Sequence, residues 1–188
     1  AEAILADGKA DMVTMARSLI ADPELIKKCV AGHQDDVTPC IKCMRCHDST
    51  VYGHHFQCSV NPTAGLENSI SHLVQPVVKS KKVAVIGGGP AGMKAAMVAC
   101  DRGHQVTLFE KSGELGGMLH KAGYFSFKYP VKDYMNWLIA QVGKRSIDVR
   151  LNTAATADSV SGFDAVIVAI GAEPFILPVP GVEQAKIA

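Results

Sequence analysis

The stretch KVAVIGGGPAGMKAAMVACDRGHQVTLFE, residues 82–110, decides the fold. KVAVI is a short apolar run bounded by glycines, the pattern of a strand buried on both faces of a parallel sheet. Residues 90–102 read as a helix and QVTLFE as a second strand. Between the first strand and the helix stands Gly87-x-Gly89-x-x-Gly92, and Glu110 ends the second strand. Each position has a physical job. Gly87 allows a tight turn, Gly89 lets backbone approach a pyrophosphate, and Gly92 lets helix and strand pack closely. The helix start, with Pro90 and Ala91 in its first turn, presents the positive end of a dipole to an anion. Glu110, followed by Lys111, is placed to accept hydrogen bonds from ribose hydroxyls. A lone G-x-G-x-x-G is a weak signal. Here strand, helix, second strand and terminal acid are all in place, which predicts dinucleotide binding.

Two later features favour FAD over NAD. ELGGML, with Gly117 and Met118, offers a second close approach to the phosphates. FDAVIVAIGAEP puts a small Ala169–Gly171 step at the end of a buried strand, where a flavin could pass. Taken singly, either set of glycines is as readily a turn or a cap; together they fit flavoproteins with two dinucleotide domains. VKDYMNWLIAQV carries Val131, Tyr134, Met135, Leu138, Ile139 and Val142 on one helical face. DVRL and DAVIVAI complete the strands. The expectation is an α/β fold with a doubly wound parallel sheet over residues 81–188.

Upstream, residues 36–80 change character, being rich in Cys, His, Asn, Ser and Pro with no sustained period of either kind. A stretch so long without regular structure needs another organiser, such as a metal centre. Cys40, Cys43, Cys46 and Cys58 give C-x2-C-x2-C-x11-C. The first three have the tight spacing by which thiolates reach three corners of a 4Fe–4S cubane, and a distant fourth closes the site. Zinc is the alternative, with His47, His54 or His55 as further ligands, although structural zinc sites usually pair two C-x2-C hairpins. A set of free thiols or disulfides is the bland reading. Cys29 and Cys100 read as small core residues on helical faces. SHLVQPVVKSKK, residues 71–82, reads as a linker.

Residues 1–35 alternate helix and strand signals. EAILADGK is a helix stopped by Gly8, ADMVTMAR reads as a buried strand, and DPELIKKCVAG as a helix capped by Asp22 with Pro23 at its first position and Gly32 at its end. One such β/α unit cannot bury its own faces. The chain has 188 residues, 48% of them apolar, a formal net charge of +1, no internal repeat and no low-complexity tract. That balance argues against a nucleic-acid or membrane-surface partner. No apolar run is long enough to span a bilayer. The start has neither Met nor a signal-peptide pattern and falls within a helix, so the expectation is a piece of a longer cytoplasmic polypeptide, where clustered cysteines read as metal ligands or redox groups.

These residues resemble the group of 2,4-dienoyl-CoA reductase, 2-enoate reductase and trimethylamine dehydrogenase, in which an old-yellow-enzyme-like barrel precedes an iron–sulfur loop and a flavin domain. ADMVTMARSLIADPEL looks like the last strand and helix of that barrel, PCIKCMRC…CSVNPTAGLE like the cluster loop, and the remainder like the FAD domain. The resemblance implies three segments: 1–35 ending a (β/α)8 (TIM) barrel, 36–80 holding a 4Fe–4S loop and linker, and 81–188 part of an FAD domain. It implies electron flow from NAD(P)H to FAD, the cluster, FMN and finally an activated C=C bond of a small-molecule substrate. Arg17 matches the arginine that binds FMN phosphate, and Ala155 in LNTAATAD the segment whose backbone reads adenine. Most of the FMN site, the NAD(P)H domain and every catalytic acid or base are expected outside these residues, and the reading leaves room for a homo-oligomer. The cysteine spacing departs from the dienoyl-CoA reductases by one residue and fits the trimethylamine dehydrogenase and some enoate reductase relatives better. Three alternatives stand: an amine dehydrogenase, a module like the glutamate synthase small subunit, or a zinc-bound structural module.

Overall fold

Four short strands carry the second half of the chain: β1 Lys82–Ile86, β2 Gln105–Phe109, β3 Ile147–Arg150 and β4 Ala165–Val168. In the computed structural model, which describes residues 2–70, 75–173, 175 and 178–181, they form one parallel sheet in the order β3-β2-β1-β4. Val83 faces Val106 on one side and Ala165 on the other, so β1 is central. The order is that of the first half of a doubly wound sheet, and it turns back on itself between β1 and β4.

The helices, in chain order, are α1 Glu2–Ala6, α2 Arg17–Ala21, α3 Leu25–Val30, α4 Arg45–Val51, α5 Glu67–Ile70, α6 Pro90–Asp101, α7 Leu119–Ala122, α8 Tyr129–Gly143 and α9 Ala157–Val160. The long pair, α6 and α8, make the core. Met93, Ala96 and Met97 of α6 lie against the sheet, and Tyr134, Met135, Leu138 and Val142 of α8 are buried as the sequence period requires. Leu108, Phe109, Val85 and Leu138 lose all or nearly all their exposure. Among the described residues no helix is long and apolar enough to cross a membrane.

Four local expectations need correction. ADMVTMAR is not a strand: residues 12–15 are irregular and α2 begins at Arg17. A strand is a pairing, and no strand among the described residues lies beside it. The helix expected from Pro23 starts at Leu25, because the Asp22 carboxylate accepts from Glu24 N at 3.0 Å and holds residues 23–24 in a turn. Cys29 is exposed, since α3 is a single surface helix with no buried residue. β4 is not buried: among the described residues it is the edge strand and pairs with β1 alone, and Val168 is 66% exposed. Residues 71–74 of the expected linker lie outside the described residues.

Polar contacts stitch the cysteine segment, residues 36–80, to the first segment on one side and to the sheet domain on the other. Asn61 donates to Ile20 O at 2.9 Å, and Asp36 accepts from Gln141 at 2.9 Å and from Lys144 Nζ at 2.6 Å, both on or next to α8. Lys144, then Gln141, holds the Asp36 carboxyl at a pKa of about 2, against an ordinary 3.8. A depressed folded pKa contributes stability above the unfolded value that disappears as pH falls from about 4 through 2. The side chain is 36% exposed, so solvent screens the pair. Asp36→Asn is expected to destabilise by at most about 1 kcal/mol at neutral pH. In denaturant melts at stepped pH, that difference from the parent should vanish below pH 2. A difference that persists there would show that the ion pair is not its source.

Candidate functional site

The glycine loop leaves β1 and enters α6 at the point where the sheet order reverses. Gly87 has φ +107°, and a Cβ there would sit 2.4 Å from Ala169 O. A Cβ on Gly92 would sit 1.8 Å from Gly87 O. Neither position admits a side chain. Gly89, the α6 cap with Pro90 after it, is different: a Cβ there would meet nothing within 4 Å. The loop is therefore packed behind and open in front, with the N–H groups of the first turn of α6 free of intrahelical partners. The second glycine pair closes over it. Gly116 N donates to Gly88 O at 2.9 Å, and a Cβ on Gly117 would lie 3.0 Å from Gly89 Cα. Ala169 N donates to Ile86 O at 2.8 Å, which sets the Ala169–Gly171 step beside the same loop. Met118 is 48% exposed at its rim. Lys111 is exposed beside Glu110. Six residues named from the sequence (Gly87, Gly89, Pro90, Gly92, Gly117 and Ala169) thus meet at one cradle.

Glu110 is buried and already engaged. One carboxylate oxygen accepts from Gly88 N at 2.6 Å, the other from Ser112 N and Oγ, each at 2.8 Å. Burial pushes its pKa up, but the bonds from Ser112 and Gly88, with the charge of Lys111, outweigh it and hold the carboxyl below its ordinary value. A carboxylate offers about four lone-pair sites. Three are occupied here, which makes Glu110 a clamp on the loop. Thr153 N donates to Glu110 O at 2.8 Å, so the segment leading to half-buried Ala155 runs beside it. Ser112 was not singled out in the sequence, where it reads as an ordinary turn residue.

The second constellation is the cysteine loop. Cys40, Cys43, Cys46 and Cys58 all line one narrow cavity together with Arg17 and Ser59. All are free thiols. The loop reaches this shape through two left-handed residues, Lys42 at φ 55° and Met44 at φ 61°, and α4 then carries Cys46. That helix was not expected from sequence; its capping is unusual, with Met44 rather than a Ser or Asp before it. Ser59 Oγ lies 3.2 Å from Cys43 Sγ. Arg17 donates from Nη1 to Met44 Sδ at 3.3 Å, so the arginine expected at a phosphate stands in the wall of the cysteine cavity. His47, His54 and His55 are exposed. Among the described residues no three His, Cys, Asp or Glu side chains converge closely enough to hold a single metal ion. The four cysteines share one lined cavity.

A second cavity, of about 330 Å³, lies between this loop and the first turn of α6. Ile41, Ser59 and Val60 line both cavities, so one layer of side chains separates the cysteines from Pro90 and Ala91. Tyr134 closes the far side; burial, then the nearby Cys58, push its phenol above its ordinary pKa. Nothing in the residue pattern marks this wall, because Ile41, Ser59 and Val60 are ordinary neighbours of the cysteines.

Comparison with known proteins places these features. The family model for FAD dependent oxidoreductases matches residues 82–157. The chain is 43% identical to an NADH oxidase of Thermoanaerobacter brockii over 98% of its own length and 29% of that protein's. It is 36% identical to a cinnamate reductase of Clostridium sporogenes, over 97% of this chain and 28% of that one. Its fold superposes on a 2-naphthoyl-CoA reductase, solved with 2-naphthoyl-CoA, with a TM-score of 0.91 and 35% identity over 97% of this chain and 28% of the other. The chain therefore spans less than a third of the length of the relatives it matches. Similarity that runs unbroken from α1 through the cysteine loop into the sheet joins both constellations to one lineage, and the chain belongs to the NADH:flavin oxidoreductase family.

Proposed function

We propose that this chain is the cluster-and-FAD portion of a cytoplasmic NAD(P)H-dependent flavin and iron–sulfur oxidoreductase that reduces an activated C=C bond of an enoate or dienoyl-CoA. In this reading residues 1–35 end a (β/α)8 barrel, 36–80 hold the cluster loop and linker, and 81–188 belong to the FAD domain. The bound groups supply a relay of electrons from NAD(P)H through FAD and a 4Fe–4S cluster to FMN.

The chain's own residues would position those groups. Cys40, Cys43, Cys46 and Cys58 would hold the cluster. Four thiols lining one cavity, three of them at C-x2-C-x2-C spacing, suit a cubane. Gly89, Pro90 and Ala91 would face the FAD pyrophosphate, with Gly117 and Met118 over it; Glu110 would take the ribose and Ala155 the adenine. Ala169 and Gly171 would pass the flavin, and Arg17 would contribute to FMN phosphate. No residue here is assigned as catalytic acid or base.

The observation that carries the reading is the shared wall of Ile41, Ser59 and Val60, with the cysteine cavity on one side and the first turn of α6 on the other. Proximity of that kind is what a relay between two centres requires. Relatives named for C=C reduction and for amine oxidation stand at similar identity, a cinnamate reductase at 36% and an N,N-dimethylglycine/sarcosine dehydrogenase at 35%, so C=C reduction is the first reading to test and amine oxidation the second.

The test is anaerobic NAD(P)H oxidation, with the 188 residues and a longer protein of its relatives' length containing them assayed side by side. The longer protein should turn over an enoate or enoyl-CoA, and the 188 residues alone should not. Turnover by the short chain would place the active site within it. Amine oxidation without activity on any C=C acceptor would move the protein to the amine-dehydrogenase branch.

A further inference from the structure

We infer that Ser59 sets the reduction potential of the centre held by the four cysteines, by donating its hydroxyl to the Cys43 sulfur. The inference rests on the cluster reading above. Ser59 Oγ stands 3.2 Å from Cys43 Sγ, within sulfur hydrogen-bond range, although the two are separated by sixteen residues in sequence. In a thiolate the sulfur only accepts, so the direction of the bond is settled: the hydroxyl donates.

Few other donors are available in that wall. Apart from the thiols, the side chains with N–H or O–H groups lining the cavity are those of Arg17 and Ser59. The Arg17 guanidinium is directed at Met44 Sδ, 3.3 Å away. Ser59 also lines the cavity on the α6 side, so it stands on the layer between the two candidate sites. A hydrogen bond to a ligand sulfur favours the more negative, reduced form of a cluster over the oxidised one, and so raises its potential. Ser59 is thus a positioning residue for charge rather than a ligand.

Ser59 is exposed, which decides the choice of variants. Ser59→Ala would let a water take the hydroxyl's place, whereas Ser59→Val fills the volume and offers no donor. Ser59→Thr keeps the donor. After anaerobic reconstitution with iron and sulfide, the midpoint is read by redox titration with EPR detection.

Ser59→Val is expected to make the equilibrium constant for one-electron reduction about tenfold smaller, a fall of ~59 mV. Ser59→Thr should keep the parent's value and Ser59→Ala should fall between. The Fe–S(Cys) stretching bands of the parent should shift on transfer to D2O, and those of Ser59→Val should not.

An intact centre in Ser59→Val with the parent's midpoint overturns the inference and leaves the cluster reading standing. Absence of any iron centre in the parent overturns the cluster reading itself. Should Ser59→Val assemble no centre, the D2O shift in the parent decides: its presence supports the bond and its absence overturns it.

Discussion

Gly92→Ala should unmake the dinucleotide cradle, whereas Gly89→Val should leave the cradle standing and empty. The added methyl of Gly92→Ala would lie 1.8 Å from Gly87 O and 3.0 Å from Gly87 C. The clashing neighbour is backbone, and it cannot give way. Gly87 N donates to Phe109 O at 2.8 Å, and Gly87 is itself pressed against Ala169 O. Either the loop tears from β2 or α6 moves off the sheet, taking Met93, which is fully buried, with it. The expected loss is about 3 kcal/mol or more, the upper range of overpacking. Gly89 has φ −73° and open space before it, so valine there meets no protein atom at its Cβ. Its side chain instead occupies the space that a pyrophosphate needs. FAD and ADP affinity should fall about 100-fold, roughly 2.7 kcal/mol, while the melting curve stays close to the parent's. Denaturation and ligand titration on the two variants read the effects separately. Undiminished FAD binding by Gly89→Val would remove the cradle from consideration as the cofactor site.

Cys43→Ser carries the other large effect. Reconstituted parent should be brown and hold about four irons per chain, and Cys43→Ser should lose both colour and iron. A serine hydroxyl does not ionise near neutral pH as a thiol does, so one corner of the centre is left without its anionic ligand. Two controls separate ligand loss from damage to the fold. Cys100, partly buried and packed against the core, donates weakly to Ser146 O at 3.8 Å and lines no part of the cysteine cavity. Cys29 is exposed on α3. Serine at either position should leave iron content unchanged. Stoichiometric zinc with no uptake of iron by the parent would sink the cluster reading and return the loop to a structural role.

Much of the sheet domain was legible without coordinates. β1, β2, β3, α6 and α8 stand where apolar period and turn residues put them, and Gly87 at positive φ and Gly92 against Gly87 O are the tight positions that their spacing predicts. Those features depend on neighbours a few residues away: a Cβ that would strike a carbonyl in the same turn, or an apolar stripe repeating every 3.6 residues. Such constraints are written locally, so they can be read locally.

Other features were settled only by the fold. ADMVTMAR has the composition of a strand, but a strand exists through its partner, and none pairs with it among the described residues. β4 has the composition of a buried strand, yet its place at the sheet edge leaves it exposed. Glu110 could be named as an acid at a strand end; that it clamps Gly88, twenty-two residues away, could not. The cysteine spacing pointed to a centre, while the approach of Arg17 and Ser59 to the same cavity came from contacts that the spacing does not contain. A side-chain hydrogen bond across sixteen or more residues has no periodic trace in sequence. It forms only where tertiary packing brings its two ends together, and packing is a property of the whole chain.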